Sequence, residues 1–350
     1  MNNTKKAYLL LEDGTLFEGK SFGCEGKSVG EVVFTTSMVG YEEAITDPCY
    51  YGQVLVQTFP LIGNYGTNSY DMTSDKAYLK GYVVREWCEK PSNYRMEEDI
   101  DTFLKKMGVI GIYDIDTRHL TRILRTKGSM KGMISTEEIP DSAIKEIKEF
   151  KIENPVNEVT DRTAKKVSDG DKKVAILNFG NYDYLLNNLK DCEVTVFPAD
   201  TDAKELESFD GIVLTEGPGN PCDNKKAIET VKALLKKPML GIGLGHQILA
   251  IANGFKCEKM PHGHRGASQP VVDKKMGKTY ITSQNHGYVV TDVDEAKAEI
   301  RFKNANDLSV EGLTYKNIPA ISVQFRPSCD RSRQDTAFLY TEFLNALKGR

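Results

Sequence analysis

Residues 238–254 read P-M-L-G-I-G-L-G-H-Q-I-L-A-I-A-N-G, a short apolar run that passes through alternating glycines into a longer apolar segment. This pattern predicts a buried strand that turns directly into a helix at Gly241, Gly243 and Gly245. A dinucleotide-binding loop would need a glycine where His246 stands, so that interpretation fits poorly. A strand-to-helix elbow, which raises its central residue at the carboxyl end of a sheet, fits better, and its central residue is Gly243.

The sequence around this elbow alternates between short apolar runs and amphipathic segments. Buried strands are predicted for residues 173–177, 193–197, 211–215 and 238–242, and a helix for residues 224–237. Because neighbouring parallel strands need crossover connections, usually helices, this order predicts a doubly wound α/β domain.

The first half of the chain has a β-rich pattern. Residues 7–22 read as two short strands around Asp13-Gly14, which is a hairpin signal. Further strands are predicted at 31–36, 53–59 and 80–85, with helices near 97–107 and 117–126.

A polar stretch in the middle of the chain predicts the domain organisation. Residues 151–172 are charged and poor in large apolar side chains, which is typical of an interdomain linker. We therefore expect a β-rich α/β domain over residues 1–150 and the doubly wound domain over residues 173–350. A chain of 350 residues is long enough for two such cores.

The composition narrows the expected partners. With 46 Lys and Arg against 50 Asp and Glu, the net charge is -4. This balance speaks against nucleic acid or an anionic membrane as the partner and favours small molecules or another protein. No apolar stretch approaches the roughly 20 residues of a membrane helix, and none suits a signal peptide, so a cytoplasmic protein is predicted. The seven cysteines include no C-x-x-C pair and predict free thiols.

Several motifs carry a family resemblance. The elbow G-I-G-L-G-H-Q resembles the G-x-C-x-G-H-Q elbow of class I glutamine amidotransferases. Residues 215–221 (T-E-G-P-G-N-P), 283–288 (S-Q-N-H-G-Y) and 322–328 (S-V-Q-F-R-P-S) resemble three further segments of that family, in the family's order. The resemblance implies an amidotransferase-like fold for the second domain.

The first half resembles one subfamily, the small subunit of carbamoyl-phosphate synthase. The matching segments are residues 11–19, 30–48, 62–68 and 114–122. This resemblance implies a large synthetase subunit, or a similar synthetase, as the partner, glutamine as the ligand, and a place in arginine and pyrimidine biosynthesis. Neither an organic cofactor nor a metal is predicted.

The departures from the family fall on the catalytic positions. In the family an elbow cysteine attacks the side-chain amide of glutamine, a histidine transfers the proton and a glutamate orients the histidine. The corresponding positions here are Gly243, Arg326 and Ser328. Gly243 has no side chain, and Arg326 stays protonated and has no acceptor lone pair, so it cannot be a general base. No catalytic residue is therefore expected to be intact.

The sequence offers few groups that could replace the missing nucleophile or base. Cys222 and Cys329 lie near motifs of the site, but we interpret both as incidental thiols because an attacking atom must be held about 3–3.5 Å from the carbonyl carbon. None of the five histidines lies on the strand expected to carry the base. His262-x-His264 is interpreted as a loop pair rather than a metal site, since the sequence shows no third ligand near it.

The segments that would hold the substrate depart less from the family. By resemblance, Gly217 and Leu244 would offer backbone N–H groups to an oxyanion. The residues implied to contact glutamine are Gly219, Gln247, Asn285, Gly287 and Tyr288, together with Cys49, which stands where the family has a serine. Glu216 replaces an asparagine, and its carboxylate would oppose a negative charge. Two interpretations stay open: these residues bind glutamine, or they persist because the turns need them.

Three functional hypotheses follow. The leading one is a small subunit that does not hydrolyse glutamine and docks on, or regulates, a synthetase partner. The second is an ordinary glutamine-hydrolysing small subunit that supplies ammonia for carbamoyl phosphate. The third is a sensor of a glutamine-like ligand. Release of glutamate in the presence of the partner would separate the first two, and calorimetry with glutamine would test the third.

Overall fold

The computed structural model describes residues 5–140, 142–327 and 335–349. The chain divides into two compact units, Met1–Glu153 and Asn154–Arg350. Ser328 and Cys329, which the sequence analysis places at the site, lie outside the described residues. Within the described part of the chain, no helix has the length and apolar character needed to cross a membrane.

The first unit is built on a closed barrel with the strand order β1-β2-β8-β6-β4-β3-β9. Its strands are β1 (Lys6–Leu11), β2 (Leu16–Gly23), β3 (Lys27–Thr35), β4 (Gln53–Gln57), β6 (Gly81–Val83), β8 (Ile110–Tyr113) and β9 (Met130–Ser135), and β5 (Leu61–Ile62) pairs separately with β7 (Glu86–Trp87). Its helices are α1 (Tyr41–Thr46), α2 (Ile100–Met107), α3 (Thr117–Lys127) and α4 (Ala143–Glu149).

The predicted hairpin at the start of this unit is confirmed. Strands β1 and β2 pair antiparallel around a turn in which Gly14 has a φ of 88°. Helix α2 begins after Asp99, whose carboxylate accepts a hydrogen bond from the Thr102 N–H at 2.9 Å, and it ends at the left-handed Gly108. These local signals account for the agreement between sequence and structure here.

The second unit contains a ten-stranded sheet with the order β10-β12-β11-β13-β14-β19-β18-β16-β15-β17. Its strands are β10 (Lys165–Ser168), β11 (Lys172–Asn178), β12 (Cys192–Pro198), β13 (Gly211–Leu214), β14 (Met239–Ile242), β15 (Lys256–Asp273), β16 (Lys278–Thr291), β17 (Ala298–Asn304), β18 (Val310–Tyr315) and β19 (Ala320–Val323). Its helices are α5 (Pro155–Val159), α6 (Asp183–Leu186), α7 (Ala203–Leu206), α8 (Lys225–Ala233), α9 (Leu244–Ala252) and α10 (Phe338–Leu347).

The parallel part of this sheet is covered on both faces. Strands β12, β11, β13, β14 and β19 pair parallel in that order. Along β11, Ala175 and Leu177 pack in one buried cluster with residues of α8 and α9, while Val174 and Ile176 pack in another with residues of α6 and α10. This alternation confirms the predicted doubly wound α/β fold.

Several segments differ from the sequence expectation, including the following three. Helix α8 ends at Ala233, four residues before the predicted end at 237. After it, the Leu234 and Lys237 N–H groups donate to carbonyls three residues earlier in tight turns, and Pro238 disfavours helical backbone at Lys237. The segment 151–172, predicted as a linker, contains helix α5 and strand β10, and β10 pairs with β12. Strands β15 and β16 form a long antiparallel hairpin that the sequence pattern did not predict.

We expect Gly245→Ala to lower the free energy of unfolding by about 1–3 kcal/mol, the usual cost of overpacking. A Cβ atom at position 245 would lie 2.3 Å from the backbone oxygen of Leu214, so α9 could not stay seated on β13. Urea unfolding measures the effect. Gly287→Ala is the matched control, because its Cβ would meet only the flexible end of Arg265, at 3.2 Å. Equal losses in the two variants would contradict this account of the packing.

Candidate functional site

The elbow between β14 and α9 has the conformation that the glycine pattern predicts. Gly243 adopts φ 56° and ψ -114°, a backbone conformation that residues with a side chain rarely adopt. The flanking glycines are needed for close approach, since a Cβ at Gly241 would lie 2.8 Å from the Gly245 oxygen. The turn is therefore a nucleophile elbow in shape, with a hydrogen atom in place of a nucleophile.

The sheet order brings two further segments to this elbow. Strand β14 lies between β13 and β19, and all three run parallel. Glu216 follows β13, Gly243 follows β14 and Arg326 follows β19, so all three residues lie at the same carboxyl edge. The Arg326 N–H also donates a hydrogen bond of 3.1 Å to the Ser283 carbonyl, which joins this segment to the β15–β16 hairpin.

Glu216 and Arg326 form an ion pair at this edge. The Arg326 Nε lies 2.7 Å from both carboxylate oxygens of Glu216 and donates a hydrogen bond to Oε2. The guanidinium also lies 5.8 Å from the ring centroid of Tyr184, within cation–π range. The two charged side chains are mostly buried, with 18% of Arg326 and 8% of Glu216 exposed. Both residues stand out in the sequence as departures from the family, but no sequence signal indicates that they meet.

Within the described part of the chain, neither Gly243 nor Arg326 can play the role that the family resemblance implies for its position. Gly243 presents no attacking atom, and Arg326 is held as a cation by a carboxylate. Cys222 lies on the exposed turn Pro221–Asp223, where its N–H bonds to Asn220. Nothing in the described contacts of Cys222 prepares it to attack a carbonyl carbon.

The residues predicted to hold glutamine in the second unit come from segments that converge on the elbow. The Gln247 side-chain amide donates hydrogen bonds to the Tyr288 carbonyl and to the Gln324 side chain, both at 2.9 Å. Asn285 and Gly287 lie on the same strand as Tyr288, and a Cβ at Gly287 would lie 3.2 Å from the Arg265 guanidinium. Gln247 thus ties helix α9 to the hairpin, which is a structural role whether or not a ligand binds.

The remaining residues predicted to contact glutamine are two glycines, one helix residue and one cysteine of the first unit. Gly217 passes close to Phe179, and a Cβ there would lie 2.3 Å from the Phe179 carbonyl oxygen. Gly219 has a φ of 93°, and Leu244, the first residue of α9, is buried. Cys49 belongs to the first unit, where it is buried in the 3₁₀ turn Pro48–Tyr50 and its N–H bonds to Asp47 at 2.9 Å. The roles of these residues toward glutamine remain predictions.

Two buried histidines near the elbow are electrically neutral. The His246 Nδ1 lies 2.7 Å from the Ser322 hydroxyl, and burial lowers the pKa of His246 to about 3. Burial, together with the nearby charge of His264, also lowers the pKa of His286 well below its usual value. Neither ring carries a positive charge at neutral pH, and each is held by local hydrogen bonds.

The expectation that His264 has no third ligand near it is wrong. Long-range pairing of β15 and β16, together with β18, brings His286 and Glu311 to His264, and atoms of these three side chains that could bind a metal lie within 4.8 Å of one another. Sequence reasoning missed this cluster because its members lie far apart in the chain. His262, the other member of the sequence motif, is not among the three residues.

A proton accounts for this cluster without a metal. The His264 Nδ1 lies 3.2 Å from Glu311 and Nε2 lies 2.9 Å from Asp307, so both ring nitrogens face carboxylates. Burial alone would lower the pKa of His264, but the hydrogen bonds and charges of Glu311 and Asp307 outweigh it and raise the pKa. An imidazolium ion satisfies both ring nitrogens of His264, while burial raises the pKa of Glu311 and leaves its second carboxylate oxygen without a hydrogen-bond partner among the described residues.

Comparison with known protein families agrees with this architecture. A family model described as glutamine amidotransferase class-I matches residues 176–346, which contain the elbow and the ion pair. A second model, carbamoyl-phosphate synthase small chain, CPSase domain, matches residues 9–134 of the first unit. The second unit is thus of the class I glutamine amidotransferase type. Because relatives named carbamoyl phosphate synthase small chain match nearly its full length at 40% identity or more, the whole chain belongs to the carbamoyl-phosphate synthase small chain family.

Individual relatives support this assignment over nearly the full length. The chain is 44% identical to the carbamoyl phosphate synthase small chain of Clostridium acetobutylicum, across 97% of this chain and 99% of that protein. It is 42% identical to the small chain of Clostridium perfringens, with the same coverage of 97% and 99%. It is 40% identical to the pyrimidine-specific small chain of Bacillus subtilis, across 98% and 96%.

We expect the free energy of unfolding to fall as the pH rises above 6.5, in part because His264 loses its proton. A raised pKa means that the folded chain favours the imidazolium ion. Its stabilisation is complete below the unfolded pKa of 6.5 and is lost as the pH rises through the folded value. Urea unfolding between pH 6 and pH 9 measures the slope.

The comparison variant is the double substitution His264→Gln with Glu311→Gln, which removes the cation and its buried partner together. Its slope above pH 6.5 should be flatter than that of the wild type. His119→Gln is the control, because His119 is exposed on α3 in the first unit. A wild-type slope in the double variant would contradict the assignment of the proton to His264.

Proposed function

We propose that this small chain docks on a large synthetase subunit without hydrolysing glutamine. In that role it holds or regulates the synthetase, while the synthetase uses free ammonia. The single observation that carries the proposal is the elbow: Gly243 offers no nucleophile, and the neighbouring position that would hold a general base is the cation Arg326.

Retention of the first unit supports the docking part of the proposal. Its family model covers residues 9–134, and relatives named small chain match this chain over nearly their whole length. A name of this kind implies a large partner chain. A family member that had lost both its chemistry and its partner would have little need of a complete first unit. The cytoplasmic location stays a prediction from the sequence.

We expect the purified chain, with its large subunit, to release glutamate from glutamine at least roughly a thousandfold more slowly than enzymes with an intact triad. The physical reason is that residual binding and oxyanion stabilisation cannot replace a covalent step. An enzyme-coupled glutamate assay measures the rate, with a known glutaminase as the positive control. Turnover at a rate typical of enzymes, about 1 s⁻¹ or more, would make the chain an ordinary glutamine-hydrolysing subunit.

We expect the chain and its large synthetase subunit to elute together in size-exclusion chromatography. The chain should also change the rate of carbamoyl phosphate synthesis from ammonia, because a docked regulatory subunit alters its partner. Synthesis with ammonia but not with glutamine would match the proposal in full. A chain that elutes alone and leaves the ammonia-dependent rate unchanged would contradict docking.

A further inference from the structure

The Glu216–Arg326 ion pair crosses over the strand that carries the elbow. Strands β13 and β19 are the two neighbours of β14 in the sheet. Adjacent strands lie about 4.8 Å apart, so the residues that follow β13 and β19 start roughly 10 Å from each other. Two long side chains that meet from these positions must pass over the carboxyl end of β14, where Gly243 lies.

We propose that Glu216 is a positioning residue whose ion pair with Arg326 holds the 215–219 loop against Gly243. A side chain at position 243 and this ion pair then exclude one another. The proposal rests on the proposed loss of glutamine hydrolysis and deepens it, because it makes Glu216, Gly243 and Arg326 depend on one another. Its test is a stability and exchange measurement, so its outcome is independent of the glutaminase assay.

The distances around Gly243 show where the crowding arises. A Cβ atom built on Gly243 would lie 2.7 Å from the Glu216 Cβ and 3.2 Å from the Glu216 Cα. Among the described residues other than the two chain neighbours of Gly243, the next nearest atom is the Gln324 carbonyl oxygen, at an ordinary 4.0 Å. Glu216 is therefore the source of the short contacts, and the atoms involved belong to the root of its side chain. Rotating the carboxylate away would not relieve them, so the loop itself must move.

The ion pair resists such a movement. Both partners are mostly buried, and separating them would leave two charges with poor access to water. Removing one partner alone would strand the other charge, which explains why neither replacement is expected without the other. The pair acts across the elbow, from β13 on one side to β19 on the other.

Backbone hydrogen bonds offer a competing explanation for the loop position. The Gly245 N–H donates to the Thr215 carbonyl at 2.9 Å, and the Phe179 N–H donates to the Thr215 hydroxyl at 2.8 Å. These bonds fix the residue that precedes Glu216. If they alone set the loop position, removing the ion pair would leave the space above Gly243 unchanged.

A double-mutant cycle separates the two explanations. Gly243→Ala is introduced into the wild type and into a background with Glu216→Gln and Arg326→Met, where both charges are removed together. We expect Gly243→Ala to lower the folding equilibrium constant roughly tenfold more in the wild type than in the uncharged background. The backbone strain of alanine at this φ cancels between the two halves of the cycle.

Gly241→Ala serves as the matched control in the same cycle. Its Cβ would lie 2.8 Å from the Gly245 oxygen and 3.1 Å from the His246 Cα, so its cost has no link to Glu216. Its effect on the equilibrium constant should therefore be the same in both backgrounds. Additive behaviour of Gly243→Ala as well would overturn the proposal in favour of the backbone hydrogen bonds.

A second measurement needs no change at position 243. Hydrogen–deuterium exchange of the wild type is compared with that of the Glu216→Gln and Arg326→Met background, read on peptides that cover residues 215–219 and 243–247. We expect exchange to rise severalfold in both peptides when the ion pair is removed, while peptides from the first unit stay unchanged. Unaltered exchange in the 215–219 loop would overturn the proposal.

Discussion

The placement of β14 between β13 and β19 is the constraint on which the rest of the site depends. Since the three strands run parallel, their carboxyl ends meet at one edge, and the residues that follow them must share a small volume. The middle strand turns at once into helix α9, and Gly243 at this turn adopts a backbone conformation that residues with a side chain rarely adopt. The outer two strands supply the side chains that cover this turn.

At this edge of the sheet, the charges of Glu216 and Arg326 balance one another. Resemblance to the family sets Glu216 against an asparagine and Arg326 against a histidine, and each change alone would bury an unbalanced charge. Together they form a short ion pair with little exposure. The same pair lies at the carboxyl edge of the sheet, beside the elbow that carries Gly243.

Much of this arrangement was accessible from the sequence. The spacing of Gly241, Gly243 and Gly245 predicts the elbow, and the alternation of strands and helices predicts the doubly wound sheet around it. Both signals are local in the sequence. The glycine signal is strong because only glycine allows the backbone segments at the elbow to approach so closely. The end of α8 was placed too late because the helical period continues up to Pro238, although the residue before a proline disfavours the helix.

Contacts between residues far apart in the chain could not be predicted from the sequence. The partner of Arg326 lies 110 positions earlier in the chain, and nothing in a local pattern joins them. The available signal was that two oppositely charged replacements follow strands on either side of the elbow. His264 and Glu311 also meet through long-range pairing. Glu311 lies on β18, which pairs with β16, and β16 pairs with the strand that carries His264 in a register that shifts between Lys259 and His264 and again between Gly266 and Gln269. Such irregularities break the alternation by which strands are recognised.

The edges of the ten-stranded sheet bear on how this unit associates with other chains. At one end, β17 pairs with both β15 and β18, so that edge is folded back on the sheet. At the other end, β10 has only four residues and carries Lys165 and Lys166, both exposed. Short, charged edges give an incoming strand little backbone to pair with. Extension of this sheet by a strand of another chain is thereby disfavoured.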